Sequence, residues 1–300
     1  MKWLKKLLKV TALLLLMGAV SIGLIWWYVS PDLDHVKKVI YSQRHGQDLS
    51  YDILHPANKD DRNHRAIILI NSGSWKSDPG EDRKLLAAPL IRHGYSVFVL
   101  SHLSQPKATV MEIIEDINRA VRHIRYHAKD YGIDAAHIGV TGGSSGGHIS
   151  LMLATLGGPG ASDAPDPIDR QSSAVQAAAV FFPVTDLLNL GKSTENPGDG
   201  GPPKSYVKAF GPRSLELPIW KVTGRSMSPI FHIDSKLPPI LIHHGDADTL
   251  VPLDQSQRFQ IEAEKAGKPV SLVIRPGKKH GWITMFIDII QFTNWFDENL

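Results

Sequence analysis

The sequence predicts an α/β fold class, with a mostly parallel central sheet covered by helices on both faces and preceded by an N-terminal transmembrane helix. Short apolar runs alternate with longer amphipathic segments, which is the pattern of βαβ units. Several of the runs are apolar at nearly every position, as in strands that are buried on both faces. A lysine-rich start and about 20 apolar residues, enough to cross a bilayer, come before them.

The N-terminal segment, residues 1–30, predicts a signal anchor. Four lysines lie within residues 1–9, and residues 10–29 are almost uninterruptedly apolar. A cleaved signal peptide usually has a shorter apolar region of about 7–15 residues and a cleavage site flanked by small residues. Here the run ends in Trp26-Trp27-Tyr28, bulky residues that favour a membrane interface. The lysines are then expected in the cytoplasm and the remainder outside, whereas cleavage would give a secreted protein.

The predicted strands begin with a hairpin, in which a turn at His45-Gly46-Gln47 joins two segments, the second of which alternates in polarity. Six short apolar runs then follow, as expected for buried strands. In chain order, the predicted strands are 39–41, 49–54, 66–70, 96–100, 138–141, 174–182, 239–244 and 270–274.

Between these strands, apolar residues recur at helical spacing. The pattern is clearest in residues 110–131, and Gly132 is expected to end that helix. The predicted helices are 85–93, 110–131, 145–156, 253–266 and 283–298. Residues 31–300 therefore form one predicted domain, with a loop-rich insertion at 186–238 whose stretch 196–203 is too rich in turn residues for a helix or strand.

Composition excludes several function classes. The formal net charge is +3, but the four lysines at the N-terminus leave −1 for the rest, and no basic stripe indicates a nucleic-acid partner. The chain contains no cysteine, which excludes disulfides, thiolate zinc sites and cysteine nucleophiles.

The stretch 140–148, V-T-G-G-S-S-G-G-H, contains the first candidate for chemistry. Ser144 and Ser145 each lie at the centre of a G-x-S-x-G pentad, after a predicted strand and at the start of a predicted helix. This setting is typical of a nucleophile elbow, in which a strained turn exposes a serine hydroxyl. The spacing does not match a phosphate-binding G-x-x-x-x-G-K-[ST] loop. The setting does not distinguish between the two serines.

Partners for such a serine follow later strands. A serine hydroxyl needs a histidine base, and the histidine needs a carboxylate to orient it. The stretch H-G-D-A-D-T-L-V-P, residues 244–252, offers Asp246 and Asp248, and His280 follows the last predicted strand. Asp186 is an alternative acid. With any of these three aspartates as the acid, the order along the chain is serine, acid, histidine.

These motifs resemble the α/β-hydrolase family, close to its acetyl-esterase/lipase-like and carbohydrate-esterase-like members. The resemblance runs from about residue 36 to the C-terminus. The family's G-G-S-A-G-G-H elbow aligns with residues 142–148 and implies that Ser144 is the nucleophile. It also implies Asp248 as the acid and His280 as the base, with no metal ion and no organic cofactor.

The resemblance also implies an oxyanion hole, where backbone N–H groups stabilise the charge that develops on a carbonyl oxygen. Ser145, which follows the nucleophile, supplies one N–H. The family's H-G-G-G-W motif aligns with Asn71-Ser72-Gly73-Ser74-Trp75, so Ser72 or Gly73 is the expected second donor. The change from His to Asn71, and of two glycines to serines, leaves the substrate open.

The expected activity is hydrolysis of short-chain acyl esters, of acetyl or carbohydrate type, through an acyl-enzyme. A lipid ester is a further substrate class, given the predicted membrane helix. Two alternatives stand beside this expectation. One is a serine peptidase of the prolyl-oligopeptidase type, which usually carries an additional propeller domain. The other is a membrane-tethered binding module without catalysis, since fold alone does not define function.

Overall fold

An eight-stranded sheet organises the chain, as seen in a computed structural model that describes residues 2–79 and 83–300. The strands are β1 Leu33–Arg44, β2 Gln47–Pro56, β3 Ala66–Ile70, β4 Ser96–Leu100, β5 Ile138–Gly143, β6 Ala177–Phe181, β7 Ile240–Gly245 and β8 Val270–Arg275. Their order in the sheet is β1-β2-β4-β3-β5-β6-β7-β8. β1 and β2 are antiparallel to each other, β2 is antiparallel to β4, and the other six strands, including β3, are mutually parallel. The predicted α/β fold class is confirmed.

Helices cover both faces of this sheet. Because side chains alternate along a strand, Ile68 and Ile70 contribute to one apolar core, whereas Ile67 and Leu69 contribute to the other. This double burial explains why β3, β4 and β6 are apolar at nearly every position. The helices are α1 Lys2–Val29, α2 Lys84–Arg92, α3 Val110–Tyr126, α4 Ser145–Leu156, α5 Lys204–Phe210, α6 Leu217–Ser226, α7 Asp254–Lys265 and α8 Met285–Asn299.

Most predicted elements of the sheet and its covering helices lie within three residues of the observed bounds, with two exceptions. The first strand begins at Leu33, well before residue 39. The long helix ends at Tyr126 rather than at residue 131, because the residues that follow form turns instead of a further helical repeat. The residues up to Gly132, which has φ +67°, form turns closed by a hydrogen bond from the Ile133 N–H to the Ala128 carbonyl.

The insertion at 186–238 contains two helices, α5 and α6, where the sequence predicted mainly loops. Residues 196–203 form neither helix nor strand, as predicted. The prediction missed the two helices because they span only seven and ten residues, too short for a clear apolar period. Tertiary burial of Tyr206, Phe210 and Trp220 stabilises them instead.

The N-terminal helix α1 contains a segment, Lys9–Val29, that is long and apolar enough to cross a membrane, a property that signal sequences share. Only three residues separate α1 from β1. At its C-terminal end α1 contacts α2, where the Arg92 guanidinium lies 4.1 Å from the centre of the Trp27 ring and donates to the Tyr28 carbonyl.

Candidate active site

Ser144 forms a strained turn between β5 and α4. Its backbone has φ +56° and ψ −121°, a conformation that costs energy for any residue with a side chain. The turn is held by hydrogen bonds from the Ser144 N–H to the Phe181 carbonyl (3.1 Å) and from the His148 N–H to the Ser144 carbonyl (2.9 Å). This geometry is that of a nucleophile elbow, and Ser144, not Ser145, occupies its apex.

Packing around the glycines distinguishes the two overlapping pentads. A Cβ at Gly142 would lie 2.6 Å from the Gly146 backbone, and a Cβ at Gly146 would lie 2.8 Å from the Ile70 carbonyl oxygen. At Gly143, the nearest atom to an added Cβ is at 3.6 Å, which is ordinary contact. The glycines on both sides of Ser144 are therefore sterically required, whereas one of those flanking Ser145 is not.

Ser144, His280 and Asp248 lie in one hydrogen-bonded chain at the carboxyl edge of the sheet. They follow β5, β8 and β7, respectively. His280 Nε2 is 2.9 Å from Ser144 Oγ, and His280 Nδ1 is 2.7 Å from Asp248 Oδ2. The Phe182 ring packs against the imidazole, with 4.5 Å between ring centres. The structure thus brings together the three residues that the sequence predicted as a triad.

The surroundings of Asp248 keep its carboxyl group ionised. Burial opposes ionisation, but the neighbouring His244 and His280 side chains and the Val251 N–H outweigh it and hold the pKa of Asp248 well below its usual range. The N–H groups of Leu250 and Val251 both donate to Oδ1 at 3.0 Å. His244 Nε2 is 3.6 Å from Oδ2 and binds the Val251 carbonyl at 2.7 Å, so its effect on Asp248 is electrostatic.

The other two candidate acids have different partners. Asp186 forms an ion pair with Arg258 and accepts hydrogen bonds from the Leu188 and Asn189 N–H groups. Asp246 accepts a hydrogen bond from the Gly277 N–H at 2.6 Å and so shapes the loop that carries His280. Neither contacts the His280 ring.

A second hydrogen-bonded chain joins the elbow to the loop after β3. His102 Nδ1 lies 3.1 Å from the Leu103 carbonyl and so must donate, which leaves Nε2 to accept from Ser72 Oγ at 2.9 Å. Ser72 Oγ then accepts from Ser145 Oγ at 3.0 Å, and Ser145 Oγ accepts from the Trp75 N–H at 2.9 Å. Burial lowers the pKa of His102 to about 4, so its ring is neutral near pH 7.

Two backbone N–H groups near Ser144 are available to a ligand. Ser145 is the first residue of α4, so its N–H has no acceptor within the helix. The Ser72 N–H donates to no other group in residues 2–79 and 83–300. The Gly73 N–H, by contrast, donates to the Lys76 carbonyl at 2.9 Å. Of the two predicted second donors, the structure therefore favours Ser72 over Gly73.

Two cavities meet at Ser144. The first, of about 340 Å³, also contains His280 and Ser72 and is walled mainly by apolar side chains; we call it the apolar cavity. The second, of about 480 Å³, contains Ser145 and Trp75 and is bounded by α5 of the insertion. An ester whose carbonyl carbon lies at Ser144 Oγ would thus have space for one half in the first cavity and for the other half in the second.

The remaining histidines near the elbow have structural partners. His148 is fully buried, with Nε2 2.7 Å from the Met227 carbonyl and Nδ1 3.3 Å from Trp75 Nε1. His243 and His244 on β7 are fully buried as well. Within the described part of the chain, no three His, Asp or Glu side chains are arranged to hold a metal ion.

Sequence reasoning missed His102 and the role of the Ser145 hydroxyl. It expected only the backbone of Ser145 to matter, yet this hydroxyl is buried and bonded on both sides. His102 follows the end of β4, at the same sheet edge as the other site residues. This position could have predicted His102 as a residue near the site, because ligands on parallel sheets bind at the carboxyl ends of strands.

The fold and the elbow are those of an α/β-hydrolase, and Ser144 lies at the apex of the elbow. The chain belongs to the BD-FAE family, whose model matches residues 51–262, a stretch that includes Ser144 and Asp248.

Individual relatives are similar over most of this chain. Esterase LipQ from Mycobacterium tuberculosis is 30% identical over 223 residues, which cover 72% of this chain and 50% of that protein. A truncated carbohydrate esterase from gut microbiota is similar in structure, with a TM-score of 0.73, 27% identity, and coverage of 89% of this chain and 96% of that one. An acetyl ester-xyloside bifunctional hydrolase from Caldicellulosiruptor lactoaceticus has a TM-score of 0.71 at 22% identity, covers 87% and 96% of the two chains, and shows the shared fold. This chain spans about half the length of LipQ.

Proposed function

We propose that this protein is a serine esterase in which Ser144 is the nucleophile, His280 the general base and acid, and Asp248 the residue that orients His280. The observation that carries the proposal is the chain of two short hydrogen bonds from Ser144 through His280 to Asp248, at a strained elbow. The ionised Asp248 accepts a hydrogen bond from the Nδ1–H of His280, which leaves Nε2 unprotonated and facing the serine hydroxyl.

The proposed reaction has two halves. Ser144 Oγ bonds to the ester carbonyl carbon while its proton passes to His280 Nε2. The carbon–oxygen bond to the alcohol then breaks, and the same proton passes to the leaving alkoxide oxygen. In the second half, His280 takes a proton from water, the resulting hydroxide attacks the acyl carbon, and the proton returns to Ser144 as the acid leaves.

Charge on the carbonyl oxygen is stabilised by the N–H groups of Ser145 and Ser72 in this proposal. Both residues border a cavity that contains Ser144. The N-terminus of α4 adds a favourable field, since helix N-termini stabilise negative charge. The hydroxyl chain from Ser145 through Ser72 to His102 holds the two donors in a fixed relation.

A short acyl ester, on an alcohol of carbohydrate type, is the proposed substrate class. Support comes from the names of the similar proteins, an esterase and a carbohydrate esterase, and from the size of the two cavities. Residues of the insertion at 186–238 form one wall of the larger cavity, so we assign substrate selection to this insertion.

Residues 1–30 are proposed to anchor residues 31–300 to a membrane, with the esterase domain on the outer side. The 21-residue apolar segment of α1 and the four lysines before it support this arrangement. Alkaline extraction of membranes that carry the full-length chain tests the anchor. Release of the protein into the soluble fraction, or N-terminal sequencing that begins beyond residue 30, would contradict it.

Labelling with a fluorophosphonate probe tests the nucleophile, with 4-nitrophenyl acetate hydrolysis measured in parallel. The full-length protein in mild detergent is expected to be labelled and active, whereas Ser144→Ala is expected to be neither. Labelling that persists in Ser144→Ala but is lost in Ser145→Ala would show that the wrong serine has been assigned. A folded wild-type protein without labelling would support the binding-module alternative, and amide cleavage without esterase activity would support the peptidase.

A further inference from the structure

The larger cavity beside Ser144 is lined by cationic side chains. Lys76, Lys204 and Lys208 border it, and Glu195 is the carboxylate among its lining residues. Three ammonium groups against one carboxylate give the lining a net charge of +2 at neutral pH. This positive charge is local, because the chain beyond its first nine residues has a formal net charge of −1. We call this space the lysine cavity.

The three ammonium groups are available for a ligand. Within residues 2–79 and 83–300 none of them pairs with a carboxylate, and the ion pairs of the insertion join other residues, such as Arg213 with Glu216. All three lysines are exposed, so a ligand in solution can reach them. Glu195, by contrast, already accepts a hydrogen bond from the Ser205 hydroxyl.

The same cavity contains an uncharged hydrogen-bond donor, the hydroxyl group of Tyr206. Tyr206 lines the same cavity, and its hydroxyl makes no hydrogen bond to another described residue. Burial raises the pKa of Tyr206, so the hydroxyl retains its proton. Its ring is held edge-on against Trp75, with 4.8 Å between ring centres, which fixes one wall of the cavity.

The cavity on the opposite side of Ser144 carries less charge. This apolar cavity is bordered by apolar side chains such as Leu86, Phe181, Phe182 and Met285, and the Arg83 guanidinium among its lining residues donates to Asn71 Oδ1. An ester bound at Ser144 would therefore have one half among apolar side chains and the other half among ammonium groups. Such a division selects substrates by charge, since a cleft lined with one sign of charge concentrates ligands of the opposite sign.

We propose that the lysine cavity binds the anionic half of the substrate, so that this protein prefers esters that carry a carboxylate or phosphate group on one side of the scissile bond. This inference rests on the proposed esterase function. Lysine ammonium groups act as point charges that bind carboxylate and phosphate oxygens through charge-assisted hydrogen bonds. The anionic group belongs to either the acyl or the alcohol half of the ester, and matched substrates distinguish these cases.

The test compares charged esters with neutral isosteres on the full-length protein in nonionic detergent. For the acyl half, the pair is mono-4-nitrophenyl glutarate and its terminal amide. For the alcohol half, the pair is 4-acetoxybenzoate and 4-acetoxybenzamide. At low ionic strength, we expect kcat/KM for the anionic member of one pair to exceed that of its isostere by about tenfold, a preference that added salt reduces.

A triple variant, Lys76→Gln, Lys204→Gln and Lys208→Gln, identifies the source of this preference. It is expected to lose the advantage of the anionic ester while retaining kcat/KM for the neutral isostere within about twofold, because only the charged contacts are removed. The matched control changes three exposed lysines outside the cavity, Lys37, Lys129 and Lys236, to Gln, and so lowers the net charge equally. We expect the control to keep the preference.

Three outcomes would count against the inference, and they are distinguishable. Hydrolysis of neutral esters without any anionic preference overturns the inference and leaves the esterase function intact. Equal loss of preference in the control variant assigns the effect to overall charge rather than to the lysine cavity, and also overturns it. A folded protein that neither hydrolyses any of the four esters nor reacts with the fluorophosphonate overturns the proposed function itself.

Discussion

The hydroxyl oxygens of Ser72 and Ser145 lie 3.0 Å apart, and this contact ties the loop after β3 to the nucleophile elbow. Each residue also carries one of the proposed oxyanion donors. The contact is buried and is continued to His102 on one side and to the Trp75 N–H on the other. Two segments more than 70 residues apart in the chain are thus fixed relative to one another.

Ser145→Ala should retain the backbone donor but lose this link. We expect kcat for 4-nitrophenyl acetate to fall about tenfold, corresponding to about 1.4 kcal/mol, while KM changes little, because only the alignment of the donors is disturbed. The buried Trp75 N–H also loses its acceptor, which costs about 1–3 kcal/mol of stability. Ser150→Ala is the control, since that hydroxyl bonds only the Gly146 carbonyl within the same helix. Equal kcat values for the two variants would contradict a positioning role.

Gly142→Ala and Gly143→Ala form a matched pair at the end of β5. The added methyl group meets the Gly146 backbone at 2.6 Å in the first variant but only side chains at 3.6 Å or more in the second. We therefore expect Gly142→Ala to lower the free energy of unfolding by about 1–3 kcal/mol, and Gly143→Ala to change it much less. Urea unfolding followed by tryptophan fluorescence measures both. A larger loss for Gly143→Ala would mean that the elbow is packed differently.

Asp248→Asn should uncouple the base from the nucleophile. An amide at this position cannot keep the proton on His280 Nδ1 in the same way, so kcat is expected to fall about 10³–10⁴-fold. Asp186→Asn serves as the comparison, since Asp186 pairs with Arg258 rather than with His280. Steady-state kinetics with 4-nitrophenyl acetate would distinguish the two. If Asp186→Asn caused the larger fall in kcat, Asp186 and not Asp248 would be the functional acid.

Buried histidines should make the protein acid-sensitive. Desolvation lowers the pKa of His55, His102, His123 and His148 to about 4 each, against about 6.5 when exposed. Between pH 6.5 and 4 the unfolded chain therefore binds more protons than the folded one, and stability falls as pH falls through this window. At pH 5 each group could lower the free energy of unfolding by about 1–2 kcal/mol. Urea unfolding at pH 7 and pH 5 measures the loss, and equal values would refute it.

The sheet was largely predictable because its strands are short, apolar and bounded by turn residues. The first observed residue of β3, Ala66, and the last, Ile70, match the sequence expectation. The end of α3 was not predictable from its apolar period, because residues 127–131, which form turns before Gly132, have a composition that a helix could also have. The two short helices of the insertion depend on burial of Trp220 and its neighbours, a tertiary contact without a local signal.

The candidate site was predictable in its chain order but not in its side-chain contacts. Strand-end positions and the family resemblance pointed to Ser144, Asp248 and His280, which the structure brings together. Spacing alone did not distinguish Ser144 from Ser145; the family alignment chose Ser144, and the backbone geometry at the elbow supports that choice. The link from Ser145 through Ser72 to His102 joins three loops that are distant in sequence, so no spacing rule reveals it.

The three-residue connection between α1 and β1 limits how far the rest of the chain can lie from α1. Three residues and their flanking bonds extend to at most about 14 Å, and Arg92 holds the end of α1 against α2 as well. If α1 lies in a bilayer, as proposed, residues 31–300 would move along the membrane surface but could not rise far above it. Their encounters would then be governed by lateral diffusion and by what collects at the membrane face, so esters dissolved in the bulk would reach Ser144 only after arriving at that surface.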